Sequence, residues 1–194
     1  MRLLLLAAPG GGKGTQGERL ASHFGVRHIS SGDVLRAAAA DGSPAGREVA
    51  GYQQRGDLVP DETVFGLLVP VVAAAAARGG YILDGFPRTL PQAITAAEIG
   101  ARLDLTLDAT IYLHVPEQVL VKRLLARARP DDTPDVIMHR LHVFTDTTSP
   151  LIDYYRSRGI LVEVDADRPP ESITDEIISR LVTGVEREDR RLRF

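Results

Sequence analysis

The chain has 194 residues, of which 44% are hydrophobic, so we expect one sizeable core in a single α/β domain with small inserted lobes at most. Its formal net charge of -3 argues against a surface that coats nucleic acid, and clustered arginines are better interpreted as local phosphate ligands. The absence of cysteine excludes disulfides, thiolate zinc sites and cysteine nucleophiles.

The first predicted strand, Arg2 to Ala8, leads directly into a glycine-rich loop. Its residues are nearly all apolar, which is typical of a central parallel strand covered by helices on both faces. The loop, Pro-Gly-Gly-Gly-Lys-Gly-Thr at 9–15, runs into a predicted helix from Gly14 to Phe24. Glycines let backbone N–H groups turn around an anion at the positive end of a helix, so the pattern predicts a phosphate-binding loop. A plain glycine-rich turn is the alternative, which the Gly-Lys-Gly-Thr order disfavours.

Two side chains of this loop carry chemistry, and one position departs from the general pattern. Lys13 supplies a mobile point charge, expected to be exposed while the loop is empty, and Thr15 supplies a hydroxyl for a magnesium-bound water shell. Ala7 stands where the G-x-x-x-x-G-K-S/T pattern has its first glycine, and Gly14 separates the lysine from the threonine. Because Ala7 continues the strand, we expect it to keep an extended φ below zero and to leave the tight turning to the glycines.

The next stretch begins with a short second strand predicted at 26–29. Two helices at 30–41 and 43–54 follow, with an extended link at 57–60, and the two helices are predicted to form a small lobe attached to the core. Ser31 and Asp33 lie at the start of the first of these helices, where capping alone would also explain them.

A predicted helix at 61–77 leads to a third strand, Tyr81 to Leu83. This strand delivers the sequence Asp-Gly-Phe-Pro-Arg-Thr at 84–89 to its carboxyl end, where ligands bind in open parallel sheets. Asp84 and Arg88 suggest a metal and a phosphate there, whereas a turn with a surface ion pair is the alternative.

The second half of the chain is predicted to alternate helices and strands and to add arginines near the same edge. Helices are predicted at 89–100, 116–127, 134–157 and 170–182, strands at 109–115 and 160–164, and a charged tail at 186–194. Arg123 and Arg127 lie one turn apart on one helix face, and Arg140 is carried toward the same neighbourhood. On spacing alone, a solvated face is the commoner interpretation of such arginines.

Four segments of the chain occur in the order that characterises one enzyme family. They are Pro9 to Gln16, Ser30 to Arg36, Asp84 to Thr89 with Gln92, and Arg129 with Asp131 and Asp132. Together they resemble adenylate kinase of the bacterial short-lid type, within the nucleoside monophosphate kinase family, over nearly the whole chain. The resemblance implies the reaction of ATP and AMP to two ADP on an α/β P-loop fold, a five-stranded parallel sheet flanked by helices. It also implies a core at 1–29, 60–125 and 134–194, a small helical AMP-binding lobe at 30–59 and a short lid at 126–133.

The resemblance further implies roles for individual residues. The ATP side would consist of Gly10, Gly11, Gly12, Lys13, Gly14, Thr15, Arg123, Arg127 and Ala166. The AMP side would consist of Ser31, Arg36, Asp57, Leu58, Val59, Gly85, Phe86, Pro87, Arg88, Gln92, Arg129 and Arg140, with Ser31 and Gln92 facing the adenine. The catalytic groups would be Lys13, Arg88, Arg123, Arg129 and Arg140. Asp84 and Asp33 would orient magnesium-bound waters, and Asp131 and Asp132 would pair with arginines when the lid closes.

Cofactor, partners and location are expected to follow the same resemblance. The implied cofactor is Mg²⁺ with ATP as co-substrate, without zinc, and the implied partners are ATP, AMP and ADP bound by a monomer. Neither nucleic acid nor a membrane is expected as a partner. No apolar run approaches the roughly 20 residues of a membrane span, and the lack of cysteine fits a reducing compartment, so we expect a soluble cytoplasmic protein.

Two alternative functions remain open at this point. UMP-CMP kinases share the phosphate loop and the Asp-Gly-Phe-Pro-Arg element, but they typically carry alanine at the position of Ser31 and continue differently after Arg88. The stretch from Thr89 to Gln92 therefore favours AMP. A catalytically silent nucleotide sensor would lack Lys13, Arg88 or Arg123, and all three are present.

Three residues depart from the usual pattern of the family. Ala7 and Ala166 stand where glycine is usual, and Pro130 stiffens the lid. None of them removes a charge, so we expect lower rates and affinities rather than loss of activity.

Overall fold

The structure, a computed structural model, describes residues 1–55, 58–127 and 133–191. Five positions of interest therefore lie outside the described residues: Asp57, Arg129, Pro130, Asp131 and Asp132. Most of the lid predicted at 126–133 lies in the undescribed stretch 128–132. The division into core, lobe and lid therefore stays a prediction.

A sheet of five parallel strands forms the centre of the protein, which confirms the predicted fold class. The strands are β1 (Arg2–Leu6), β2 (Arg27–Ser30), β3 (Tyr81–Asp84), β4 (Ala109–His114) and β5 (Leu161–Asp165). Their order is β2-β3-β1-β4-β5, so β1 lies in the middle and pairs with β3 on one side and β4 on the other. The chain builds β2 and β3 on one side of β1 and then crosses to the other.

Helices cover both faces of the sheet. They are α1 (Lys13–Phe24), α2 (Ser31–Ala40), α3 (Pro44–Arg55), α4 (Asp61–Ala76), α5 (Leu90–Leu103), α6 (Glu117–Arg127), α7 (Pro134–Val143), α8 (Pro150–Ser157) and α9 (Pro170–Arg191). Leu3 and Leu5 of β1 belong to the core shared with α1 and α9, whereas Leu4 and Leu6 belong to the core shared with α4 and α8. Burial on both faces explains why β1 is a continuous apolar run instead of an alternating one.

The single helix predicted at 134–157 is wrong, because a π-helical turn at Phe144–Thr148 separates α7 from α8. The hydroxyls of Thr145 and Thr147 donate back to carbonyls four residues earlier, at 3.1 and 2.7 Å. Such bonds compete with the regular helical pattern, and Pro150 has no N–H with which to continue it.

Three predicted boundaries also differ from the structure. β1 ends at Leu6 instead of Ala8, since the chain begins to turn into the loop there. α5 continues past Gly100 until Asp104 ends it in the left-handed conformation, with φ of 53°. α9 runs to Arg191, so most of the predicted charged tail is helical, in keeping with the helix propensity of glutamate and arginine. Across the part of the chain that the structure describes, no helix is both long enough and apolar enough to span a membrane.

Candidate functional site

A cavity of about 810 Å³ opens at the edge of the sheet where β1, β2 and β3 end. Because β1 is the strand at which the chain changes sides of the sheet, this edge is a topological switch point, the usual ligand position in such folds. Every predicted site residue that the structure describes lines this cavity except Ala166, which is buried and contributes its carbonyl oxygen to Arg123. The sequence-predicted ATP and AMP sides therefore share one space.

The loop between β1 and α1 has the geometry of an anion-binding loop. Gly10 and Gly12 adopt positive φ angles of 81° and 88°, and the N–H of Gly11 donates to Ala8 O at 3.0 Å. α1 begins directly after Gly12, with no side-chain cap and no acidic residue in its first turn. The unpaired N–H groups and the positive end of the helix dipole are thus available to an anion in the cavity.

Ala7 and Gly11 pack directly against each other in this loop. Within the described ranges, Asp104 is the only non-glycine residue with a positive φ, so Ala7 keeps the ordinary backbone conformation expected of it. A Cβ placed on Gly11 would lie 2.7 Å from the Cβ of Ala7 and 3.0 Å from Ala8 O. The space between positions 7 and 11 therefore holds one methyl group and not two.

The Lys13 ammonium is engaged by backbone in this structure, and the expectation that it is exposed is wrong. Its Nζ donates to Ala7 O at 2.6 Å and to Ala8 O at 3.1 Å. Desolvation in the cleft lowers the pKa of Lys13 from 10.5 to about 8; Asp84 acts in the opposite direction, and Arg88 and Arg127 lower it further. The two carbonyls hold the ammonium beside the loop, where a phosphate would approach.

Asp84, at the end of β3, is buried and pairs with a residue that the sequence analysis missed. The Nε2 of His28 lies 2.5 Å from Asp84 Oδ2, and this hydrogen bond raises the pKa of His28 above 6.5. β2 brings the two together, because Ser30 is in register with Asp84 and His28 precedes Ser30 by two residues on the same strand face. Nothing in the local sequence around His28 indicated this partner.

Arg88 is fixed through both its backbone and its side chain. Its N–H donates to Gln92 Oε1 at 2.7 Å, its carbonyl accepts from Thr148 Oγ1 at 2.8 Å, and its Nε donates to Gly85 O at 2.8 Å. The guanidinium opens to the solvent of the cavity but is surrounded by protein on most sides, which lowers its pKa by desolvation; the charge of Arg140 adds to this effect. Mutually repelling cations in one cleft favour an anionic ligand there.

The predicted acceptor side contains a hydroxyl without a hydrogen-bond partner among the described residues and an amide that is hydrogen-bonded at both ends. Ser31 Oγ is buried with no hydrogen-bond partner among the described residues, and a Cβ on Gly85 would come within 2.5 Å of it. Gln92 is also buried, and its Nε2 donates to Oδ1 of Asp61 at 2.7 Å, a contact that the sequence analysis did not anticipate. Whether Ser31 and Gln92 face a base stays a prediction.

The remaining predicted side chains are distributed around the same cavity. Arg36 is paired with Asp33, three residues earlier on α2, and this hydrogen bond lowers the pKa of the Asp33 carboxyl. Arg123 turns its Nη2 toward Ala166 O at 3.0 Å and toward Asp167 Oδ1 at 3.5 Å. This arrangement links α6 to the loop after β5 and leaves the guanidinium at the rim of the cavity.

Comparison with known proteins agrees with this geometry. The family model described as adenylate kinase matches residues 5–160. The chain is 45% identical to adenylate kinase 1 of Synechocystis over 171 residues, which is 88% of this chain and 91% of that protein. It is 42% identical to an adenylate kinase of Leptospira biflexa over 184 residues, 93% and 99% of the two chains, and 41% identical to one of Thermobifida fusca over 185 residues, 93% and 98%. With this match over most of its length, the chain belongs to the adenylate kinase family.

Proposed function

We propose that this protein transfers the terminal phosphoryl group of MgATP to AMP, giving two ADP. The observation that carries the proposal is that the same cavity of about 810 Å³ is lined both by the phosphate loop and by Ser31, Arg36 and Gln92. Two nucleotides bound on these two sides would bring their phosphates together near Lys13 and Arg88. Its relatives named adenylate kinase support the same reaction and favour neither a UMP-CMP kinase nor a silent sensor.

Phosphoryl transfer from MgATP to AMP requires little covalent chemistry from the protein. The phosphate oxygen of AMP is already anionic, so no general base is obligatory, and catalysis consists of positioning and of neutralising charge on the transferring group. Lys13 provides a point charge beside the phosphate loop, while Arg88 provides a planar donor fork. Its Nε is held by Gly85 O, and its backbone N–H and C=O are held by Gln92 and Thr148. Arg140 contributes further positive charge close to Arg88.

The residues present fit a magnesium ion carried by the nucleotide. Among the described residues, no group of three or more His, Cys, Asp or Glu side chains could hold a metal ion by itself. Mg²⁺ bound to phosphates keeps several waters and needs only one or two protein carboxylates. The buried Asp84 carboxylate and the Thr15 hydroxyl both line the cavity and would hold such waters. When bound, the ion would neutralise charge on the phosphate oxygens.

Closure and assembly complete the proposal. Water competes with AMP for the phosphoryl group, so a lid at 126–133 and a lobe at 30–59 that close over both nucleotides would suppress ATP hydrolysis.

We further propose a cytoplasmic monomer whose partners are the nucleotides themselves. Light scattering during size-exclusion chromatography tests the monomer, and a dimer mass would refute it.

The decisive experiment for the reaction is a coupled assay with MgATP and each nucleoside monophosphate in turn. AMP should be phosphorylated far faster than UMP, CMP or GMP, because Ser31 and Gln92 would be left without suitable partners by the other bases. Faster turnover of UMP or CMP would move the protein to the rival kinase class. Binding of ATP and AMP without turnover would identify it as a silent sensor.

A further inference from the structure

The side-chain amide of Gln92 is held at both of its ends. Oε1 accepts from the backbone N–H of Arg88 and Nε2 donates to Oδ1 of Asp61, each at 2.7 Å. Gln92 is only 3% exposed, so it has little freedom to find other partners. Gln92 and Arg88 both line the cavity that the proposed AMP side shares, and Asp61 reaches Gln92 from outside that lining.

The chemistry of the two partners fixes which end of the amide is which. A backbone N–H can only donate and a carboxylate can only accept, so the oxygen must face Arg88 and the nitrogen must face Asp61. A flipped amide would set its N–H₂ against the N–H of Arg88 and its oxygen against the carboxylate. Because the Gln92 amide is buried, each of those contacts would leave a polar group of the amide unpaired or facing a like partner.

This orientation leaves one acceptor and one donor for a ligand. A glutamine amide has two lone pairs and two N–H groups, and the protein uses one of each. The unused acceptor at Oε1 and donor at Nε2 match the 6-amino group and the N1 acceptor of adenine. On the same edge a 6-oxo purine presents O6 as an acceptor and N1–H as a donor, the opposite order, so it would require the flipped amide.

Asp61 has a second, purely structural explanation that the test must separate. It lies in the first turn of α4, where an acidic residue stabilises the helix, and Glu62 occupies the same turn with the same charge. Of these two carboxylates, the one that bonds to the Gln92 side chain is that of Asp61. Glu62 is exposed and serves as the matched control for loss of charge at this helix start.

We propose that Asp61 is a positioning residue that locks the Gln92 amide in the orientation selecting a 6-amino over a 6-oxo purine monophosphate. The inference rests on the proposed function, because it takes AMP as the acceptor. The N–H of Arg88 bonds to the other end of the amide, so Asp61 supplies one of the two hydrogen bonds that fix its orientation. Removing it weakens the selection without abolishing it.

The test compares AMP with inosine monophosphate, which differs from AMP in its 6-oxo group and N1 proton. Asparagine at position 61 can either accept or donate, so Asp61→Asn removes the part of the penalty for a flipped amide that arises at the Asp61 end, while the Arg88 N–H still opposes the flip. We expect two selectivity ratios to fall about tenfold, the effect of one hydrogen bond to a charged group: the Kd for IMP divided by the Kd for AMP, from calorimetry, and kcat/KM for AMP divided by kcat/KM for IMP. Part of that change should be tighter binding of IMP, which a merely structural defect would not produce. Glu62→Gln should keep both wild-type ratios.

A double-mutant cycle shows whether Asp61 acts through Gln92. In a Gln92→Met background, Asp61→Asn should no longer alter either ratio. The inference is overturned if Asp61→Asn leaves both Kd values within twofold of wild type, or shifts AMP and IMP equally as Glu62→Gln does. Thermal unfolding of the two single variants separates the loss of one charge at the helix start, which both share, from the altered Gln92 contact, which only Asp61→Asn has. Failure of the wild type to phosphorylate AMP while it binds AMP would refute the proposed reaction, and the Kd ratios would still decide the role of Asp61.

Discussion

Placing a methyl group on Gly11 is expected to damage the phosphate loop, and removing the methyl group of Ala7 at the same time is expected to repair most of that damage. A Cβ on Gly11 would lie 2.7 Å from the Cβ of Ala7. Carbon atoms in ordinary contact lie about 3.5 to 4.0 Å apart, so the two methyls must separate by about 1 Å. Unlike Gly10 and Gly12, Gly11 has no positive φ, so the effect of an alanine there is steric and not conformational.

The magnitude follows from overpacking. Extra methyl groups in a packed site typically cost about 1 to 3 kcal/mol, which corresponds to about 5- to 150-fold weaker ATP binding when the loop N–H groups are displaced. Ala7→Gly alone removes a small buried methyl and adds chain entropy, so it should change ATP affinity and turnover less than about tenfold. The double variant should recover most of the loss, although Ala8 O would still lie 3.0 Å from the new Cβ.

The assay is the Kd for ATP by calorimetry, with kcat from the coupled reaction, for the wild type, both single variants and the double variant. Gly66→Ala is the matched control, because a Cβ there meets nothing within 4 Å and the residue lies outside the cavity. A double variant as impaired as Gly11→Ala, or a Gly11→Ala protein within twofold of wild type, would refute the shared-space explanation. If Ala7→Gly switched on an otherwise undetectable kinase activity in a folded protein, the wild type would be the silent sensor.

Three further predictions concern Lys13 and His28, the ionisable groups beside the loop. Lys13→Met should lower kcat by more than about tenfold, a loss above roughly 1.4 kcal/mol, because the ammonium acts where charge moves. Since the pKa of Lys13 in the empty site is about 8, ATP affinity should be retained below that pH and fall above it; titration calorimetry should find this pH dependence in the wild type and not in Lys13→Met. His28 has a pKa raised above 6.5 by Asp84, so its contribution to stability is fully present below about pH 6.5 and is lost as pH rises through the folded-state value. Urea unfolding of His28→Gln should lack this decrease, and an identical pH profile in wild type and variant would show that the pair does not stabilise the fold.

The backbone parts of the site could be predicted because their signals are local. An apolar run followed by spaced glycines predicted β1 and the loop, and a short apolar run directly before Asp84 predicted that the stretch from Asp84 to Arg88 lies at the end of β3. The predicted α/β class, family and enzyme type are confirmed by the sheet and by the relatives. These features depend on residues within about one strand and one turn of each other, which is the range that periodicity and motif spacing cover.

The contacts that orient the site could not be predicted, because each joins residues far apart in the chain. His28 meets Asp84 across 56 residues, and Asp61 meets Gln92 across 31. Thr148 reaches the carbonyl of Arg88 across 60 residues, from the π-helical turn that the sequence analysis took for ordinary helix. Such pairs are set by strand register and helix packing, which a single sequence does not display. Each of the three contacts holds a residue that the motifs did identify: Asp84, Gln92 or Arg88.

Ala7 shows why a departure from a motif has to be judged with its neighbours. Considered alone, an alanine in place of a glycine suggests a loop that is strained or crowded, and the sequence analysis accordingly expected weaker affinity. In the structure, the methyl group of Ala7 occupies space left by the missing side chain of Gly11, and neither residue adopts a positive φ. Positions 7 and 11 can therefore pack together as long as one of them is glycine, and in this loop that residue is Gly11. Crowding at Ala7 gives no reason to expect weaker ATP binding, and the reciprocal substitution at positions 7 and 11 measures that conclusion directly.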